Sequence, residues 1–322
     1  MTQTETILGY HRPGDITTEF GKTHLPGLKD VPRIHKPNRK EFFNEYVAKR
    51  RPVVMTGITH DWKMTQWQDL EYLRTKIGEE KVQPRVKGGR ELLSNTQPMT
   101  FSQFVEQAPE RDLYLTLALL MRPSYDSFNR HFERKSHPAY LPELASDFEL
   151  PFIDRKDIWE VNLWIGPSKS ETPLHRDQME NLYFQIRGQK RFLLFPCANN
   201  PGYEEDARDA NGRISYEGYE LLINPGETLY FPSFWYHRVF GDPQWGVSCN
   251  MWFLRRWQDV ASFILNVPFE EIPAGTMSTM RRKLLWGKLR HTIKARLNLL
   301  PKMPPIQVGP ATFAKAVSKE VE

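Results

Sequence analysis

The stretch TPLHRDQMENLYFQIRGQKRFLLFP, Thr172 to Pro196, decides how the rest of the chain is read. Two apolar, strand-like runs, NLYFQIRG and KRFLLFP, flank Gln189. Ahead of them stand His175 and Asp177, two residues apart. Side chains on a β-strand alternate between faces, so positions i and i+2 share one face. An imidazole and a carboxylate placed side by side in this way are two donors of a site that needs a third. Inside the stretch, ENLYFQ (Glu180 to Gln185) also spells a protease recognition site, which raises the question of whether it is native.

Outward from this stretch the chain keeps the same character. IWEVNLWIG, NLYFQIRG, KRFLLFP, YELLINPG, ETLYFP and GVSCNMWFL are short aromatic and β-branched runs separated by Gly and Pro. Closely spaced short strands with turn signals predict an antiparallel barrel or jelly roll. Residues 197–218, polar, acidic and carrying Asn-Gly, read as a surface loop within it. Upstream, Asn38 is placed to cap a helix through RKEFFNEYVAKR, and RPVVMTG reads as a buried strand. TQWQDLEYLRTKIG reads as a helix, EKVQPRV as a strand, MTFSQFVEQA as a Thr-capped helix and DLYLTLALL as a strand. Residues 1–30 read as an extended arm, 31–257 as one domain with its barrel over about 110–257, and 258–322 as a helical region.

The third donor is His237, in FPSFWYHRVFG, 62 residues after His175 and downstream of the Pro225–Glu227 turn. Two imidazoles and one carboxylate on one face, with the remaining positions open, are the ligand set of non-haem Fe(II) oxygenases. His-x-Asp taken alone is a common chance pair whose residues are usually surface or satisfied core groups. Its value rests on the surrounding order of elements.

That order, TPLHRD…NLYFQIRGQKRFLLFP…PGETLYFPSFWYHRV…CNMWF, resembles the cupin-type JmjC hydroxylases. In pattern it is most similar to the asparaginyl hydroxylase that inhibits hypoxia-inducible factor. The resemblance implies a double-stranded β-helix, mainly β with helical flanks. It implies Fe(II), O₂ and 2-oxoglutarate as cofactor and co-substrates, with His175, Asp177 and His237 as metal ligands and catalytic residues. It further implies that Lys190, Thr172 and Tyr114 bind the co-substrate, that Asn181 and Asn250 lie near it, and that Trp252 lies near the iron. A dicarboxylate entering an apolar barrel loses hydration and needs a cation and hydroxyl donors, which Lys190, Tyr114 and Thr172 would supply. ENLYFQ sits in register with the family's strand and leaves the spacing of Asn181 and Lys190 to His175 intact, so it reads as native. Arg176 stands where the family often has tyrosine, and it should point away from the metal, either solvated or on a substrate-facing surface.

Bulk properties narrow the field. The 322 residues, 39% hydrophobic and 12% aromatic, support a large core and exclude a disordered chain. No apolar run approaches ~18 residues, so no transmembrane segment is expected. The N-terminal sequence lacks a basic-then-apolar pattern, and Cys197 and Cys249 form no disulfide or metal pattern, so a cytoplasmic location is expected. The net charge of +5 is local. Residues 281–300 hold seven Lys/Arg and no Asp/Glu, and without them the other 302 residues carry −2. A nucleic-acid surface spread over the fold is therefore disfavoured. In the same segment Leu285, Trp286, Leu289, Ile293, Leu297 and Leu300 fall on one helical stripe. Such a helix suits homodimerisation, which the resemblance favours, or alternatively an anionic membrane, tRNA or an acidic peptide.

Three functions follow. The first is hydroxylation of an unactivated C–H on a protein, peptide or peptide-like metabolite, with succinate and CO₂ released; N-demethylation shares its opening step. The second is an RNA-base hydroxylase of the same chemistry. The third is a non-enzymatic metal-binding cupin.

Overall fold

The computed structural model describes residues 28–88, 91–121, 142–149, 151–167, 171–197, 218–241 and 244–254. The predicted 197–218 loop, apart from its ends, and the predicted helices after 257 lie outside the described residues, as does the dimerisation stripe.

The chain opens with two short strands, β1 (Leu28–Asp30) and β2 (Arg33–His35). Asn38 then caps α1 (Arg39–Glu41), accepting the Glu41 N–H at 3.0 Å, and the helix continues as a π-helical turn over Phe42–Val47. β3 (Val53–Thr56) follows. The single helix expected over 65–78 is two elements, a 3₁₀ turn (Lys63–Gln68) and α2 (Leu70–Ile77). Asp69 separates them because its backbone is extended while its carboxylate accepts from Glu71 N at 2.9 Å. The expected strand EKVQPRV is also split, into β4 (Lys81–Val82) and β5 (Arg85–Gly88), at Pro84, which has no N–H to give a ladder. β6 (Glu91–Asn95), β7 (Met99–Thr100), α3 (Phe101–Arg111) and β8 (Leu113–Met121) complete this half. Thr100 and Gln103 close a reciprocal capping box at the start of α3.

The second half is the barrel proper: β9 (Ile158–Pro167), β10 (Glu171–Arg176), β11 (Glu180–Arg187), β12 (Lys190–Phe195), β13 (Gly218–Ile223), β14 (Glu227–Phe231), β15 (Tyr236–Gly241) and β16 (Trp245–Phe253). They form two facing sheets. One runs β1-β13-β12-β15-β10, the other β2-β3-β14-β11-β16-β9-β8-β5-β6. Pairing is antiparallel except where β1 meets β13 and β2 meets β3. The expected jelly roll is what forms. β1 lies within the stretch read as an arm, and it extends the smaller sheet.

Alternation divides the larger sheet into two working faces. Leu182, Phe184 and Ile186 of β11, Val247, Cys249 and Met251 of β16, and Val161, Leu163 and Ile165 of β9 face the helical layer and join one buried core with Leu73, Phe101 and Phe104. Each such side chain contributes about 1.5–3 kcal/mol by leaving water. The opposite face looks into the barrel. There Leu229 and Phe231 meet Phe192, Leu194, Leu221, Ile223 and Val239 of the smaller sheet in a second, interior cluster. Gly188, between β11 and β12, has φ +68°, and a Cβ there would sit 3.0 Å from the Trp245 carbonyl oxygen, so the turn requires glycine. Among the described residues no helix is long and apolar enough to cross a membrane.

Candidate metal centre and co-substrate pocket

β10 and β15 pair so that His175 stands opposite His237, with their ring centroids 4.1 Å apart. Asp177 follows β10. Its backbone carbonyl accepts from Phe234 N at 2.6 Å, which ties the end of the His-x-Asp segment to the turn before β15. The ligand atoms of His175, Asp177 and His237 all lie within 4.8 Å of one another. His175 Nε2 is 4.0 Å from Asp177 Oδ1, and His237 Nε2 is 3.6 Å from Asp177 Oδ2.

The protonation states suit metal binding. His237 Nδ1 lies 3.1 Å from the Trp235 carbonyl, which can only accept, so the proton sits on Nδ1 and the Nε2 lone pair turns inward. Burial, with the nearby His175 adding to it, lowers the His237 pKa to about 4, so the imidazole is neutral. Asp177 Oδ2 receives the Trp252 indole N–H at 3.2 Å and the Asn181 amide at 3.5 Å. The structure thus brings Asn181 and Trp252 onto the ligand carboxylate. Two imidazole nitrogens and one carboxylate oxygen, held on one face by neighbouring groups, fit a divalent first-row metal such as Fe(II).

Strand register extends this site into a ladder of inward-facing rungs. The first rung is Asn181–Trp252–Glu160, the second Tyr183–Asn250–Asn162, and the third Gln185–Ser248–Trp164–Thr116. Lys190, from the facing sheet, reaches the deeper rungs. Its ammonium donates to Ser248 Oγ at 3.1 Å and to the Tyr114 hydroxyl at 3.4 Å, and it lies over the Tyr183 ring. Lys190 is 7% exposed and has no carboxylate partner among the described residues. Desolvation therefore lowers its pKa to about 7. Burial also pushes the Tyr114 phenol up, so Tyr114 remains a hydroxyl that accepts from Lys190 and can donate onward. A buried cation backed by hydroxyls and lacking an anion fits the far carboxylate of a dicarboxylate ligand.

Asn250 lies between these two ends. Trp164 Nε1 donates to its Oδ1 at 2.6 Å, which leaves Asn250 Nδ2 buried without a partner. Asn181 Oδ1 is likewise buried and unpartnered. Thr172 stands on β10 opposite Val239, is exposed, and makes no hydrogen bond to the described residues. Arg176 turns away from the metal face as alternation requires, and it is not simply solvated. Its guanidinium lies over the rings of Phe234 and Tyr236. Sequence reasoning missed Ser248, Tyr183, Trp164, Asn162 and Glu160. The available signal was polar residues at alternate positions in otherwise apolar strands, Glu160-x-Asn162 in β9 and Ser248-x-Asn250 in β16.

A jelly-roll barrel with an inward His-Asp-His face and a buried lysine beyond it defines a JmjC-type 2-oxoglutarate-dependent oxygenase. A family model described as a cupin-like domain matches residues 39–259, and the chain belongs to that family. It is 25% identical to JmjC domain-containing protein E of Dictyostelium discoideum, over 66% of this chain and 78% of that one. It is 25% identical to lysine-specific demethylase 8 of Xenopus tropicalis, over 65% of this chain and 49% of that protein, so it spans about half the length of that relative. It is 23% identical to human bifunctional peptidase and (3S)-lysyl hydroxylase JMJD7, over 69% of this chain and 84% of that one.

Proposed function

We propose that the protein is an Fe(II)- and 2-oxoglutarate-dependent hydroxylase acting on a side chain of a protein or peptide. The observation that carries this reading is the pairing of a His175–Asp177–His237 face with a buried, anion-less Lys190 at the other end of the same ladder. His175, Asp177 and His237 would hold the metal. Lys190, Tyr114 and Asn250 would hold 2-oxoglutarate, with Thr172 at the rim. Fe(II) bound there supplies the chemistry that couples reduction of O₂ and conversion of 2-oxoglutarate to succinate and CO₂ with insertion of oxygen into a C–H bond.

The chain's own residues do the rest. Trp252 and Asn181 fix the rotamer of Asp177, so the ligand set is organised before the metal arrives. Lys190 neutralises one end of the dicarboxylate where water is excluded, and Tyr114 orients it. The apolar interior around Phe231 and Val239 keeps bulk water from the reacting centre. The relatives' printed names support a protein substrate, since two of them refer to lysine.

The test is an anaerobic titration of metal-free protein with Fe(II) and then 2-oxoglutarate. A visible absorption band near ~500–530 nm is expected when the co-substrate chelates Fe(II) at an open facial site. Asp177→Ala should abolish it and Lys190→Ala should shift its appearance to higher co-substrate concentration. A folded, iron-loaded protein without the band would leave a metal-binding cupin without this activity. Turnover with tRNA and none with peptides would favour the RNA-base reading.

A further inference from the structure

Behind the metal face stands a carboxylate outside the ligand set. Glu180 opens β11, three residues after Asp177, and is fully buried. Alternation turns Asn181 toward Asp177 and sends Glu180 to the other face of the sheet, into the core that contains Tyr230. There its two oxygens collect three donors. Oε2 accepts the Tyr230 hydroxyl at 2.6 Å and the Ser233 backbone N–H at 3.3 Å, and Oε1 accepts the Ser233 hydroxyl at 3.2 Å. Arg50 closes the group. Its Nη2 donates to the Ser233 carbonyl at 2.6 Å and its Nη1 to Ser233 Oγ at 3.4 Å, while Nη1 lies 4.0 Å from Glu180 Oε1.

Every polar group of Ser233 is thus held, and Ser233 lies in the turn that joins β14 to β15. The two residues after it lead to the candidate ligands. Phe234 N donates to the Asp177 carbonyl at 2.6 Å, and the Trp235 carbonyl accepts from His237 Nδ1 at 3.1 Å. Segment 177–180 therefore grips the turn at two successive amides, with a backbone carbonyl at one end and a side-chain carboxylate at the other. The turn has need of a grip. Phe234 has φ +61° and Arg50 has φ +50°, in the left-handed region that bulky side chains disfavour. Such conformations persist where the surroundings over-determine them. Here both residues meet at one serine, and Glu180 is its acceptor.

We propose, resting on the hydroxylase reading above, that Glu180, with Ser233 and Arg50, is a positioning unit for the metal face. It fixes the turn, and the turn sets the main chain of Asp177 and the ring of His237 where one ion can take both. Glu180 touches neither the ion nor the substrate in this account. Arg50 lies between the π-helical turn and β3, so the unit also ties the ligand geometry to the N-terminal half of the fold.

The test is titration of the metal-free full chain with Co(II), whose visible spectrum reports occupancy and ligand arrangement together. Glu180→Leu leaves both Ser233 donors without their acceptor, and it should weaken Co(II) binding about tenfold or more and alter the spectrum. Glu180→Gln keeps a carbonyl for the Tyr230 and Ser233 N–H donors, so it should restore affinity to within about threefold of wild type. Ser233→Ala and Arg50→Met each remove part of the unit and should weaken binding by about three- to tenfold. They decide the matter if thermal unfolding shows that Glu180→Leu does not fold. Asp147→Ala is the control for general loosening, because its buried carboxylate gathers Trp67, Tyr72 and Lys76 rather than the turn. It should bind Co(II) as wild type does. Wild-type affinity and spectrum in folded Glu180→Leu, the same in Ser233→Ala and Arg50→Met, or an equal loss in Asp147→Ala would overturn the assignment. A wild type that binds Co(II) and yet gives no 2-oxoglutarate band with Fe(II) sinks the hydroxylase reading instead, and leaves the role of Glu180 at the metal face to stand on the Co(II) data.

Discussion

Trp252 of β16 donates its indole N–H to Asp177 Oδ2 at 3.2 Å, so a residue of the larger sheet orients a candidate metal ligand carried by the smaller one. The bond spans the barrel interior and makes the geometry of the metal face depend on both sheets. Trp252→Phe keeps the ring and removes the donor. Metal affinity should fall by about tenfold to a hundredfold with little change in folding. Fe(II) or Co(II) titration measures it, and unchanged affinity would show that Asn181 alone orients Asp177.

Lys190, in the co-substrate role proposed for it, would make 2-oxoglutarate binding pH-dependent. Its pKa is about 7 in the free protein, and a bound carboxylate favours the charged form and raises that value. Binding therefore takes up a proton at and above pH 7. The affinity for 2-oxoglutarate should fall as pH rises beyond 7, by up to about tenfold per unit. Calorimetry of the Fe(II)-loaded, oxygen-free protein at pH 8 in two buffers of different ionisation heat reads the proton directly. No uptake would mean that Lys190 is already charged before the ligand arrives.

The same lysine affects stability with a defined sign. Its folded pKa of about 7 lies below the ordinary value of 10.5, so the unfolded chain binds more protons between these limits. Stability of the metal-free protein should rise with pH across that window, and the cost of burying the charge is fully present only below about 7. Lys190→Met should therefore stabilise the protein most at pH 6 and progressively less toward pH 10. Urea unfolding at several pH values checks this, and a gap between the two proteins that stays constant would contradict it.

The buried carboxylate of Asp147 ties together elements of the helical layer. Asp147 Oδ2 accepts from Trp67 Nε1 at 3.1 Å and from the Tyr72 hydroxyl at 2.8 Å, while Oδ1 meets Lys76 Nζ at 3.0 Å. It joins α2 and the 3₁₀ turn before it to the Pro142–Asp147 turn. Asp147→Ala should cost about 2–4 kcal/mol, because two or three donors lose their acceptor. Tyr72→Phe, which removes one donor and leaves the others satisfied, should cost about 1 kcal/mol. Chemical denaturation compares them, and equal costs would mean that the network does not act through its buried acceptor.

Features of the fold that depend on nearby residues were readable from the chain. The two-residue spacing of His175 and Asp177, the turn before β14 and the capping residues Asn38 and Thr100 each express a rule acting over a few positions, and all appear in the structure. β1 and β2 were missed because a three-residue strand has no alternation to detect and exists only through its parallel partner. The split at Asp69 came from a cap inside a helical pattern. Glu160, Asn162 and Ser248 were invisible as a group for another reason. Their neighbourhood is created by register between β9, β16 and β11, and no pattern within a single strand encodes it.

ENLYFQ occupies β11 from Glu180 to Gln185, hydrogen-bonded to β14 on one side and β16 on the other, with every residue of it buried. A protease reads such a site as an extended strand of its own, which this one cannot become while both neighbours hold it. While the barrel is closed, the sequence is therefore hidden from a protease that would read it, and only a molecule whose barrel has opened would present it.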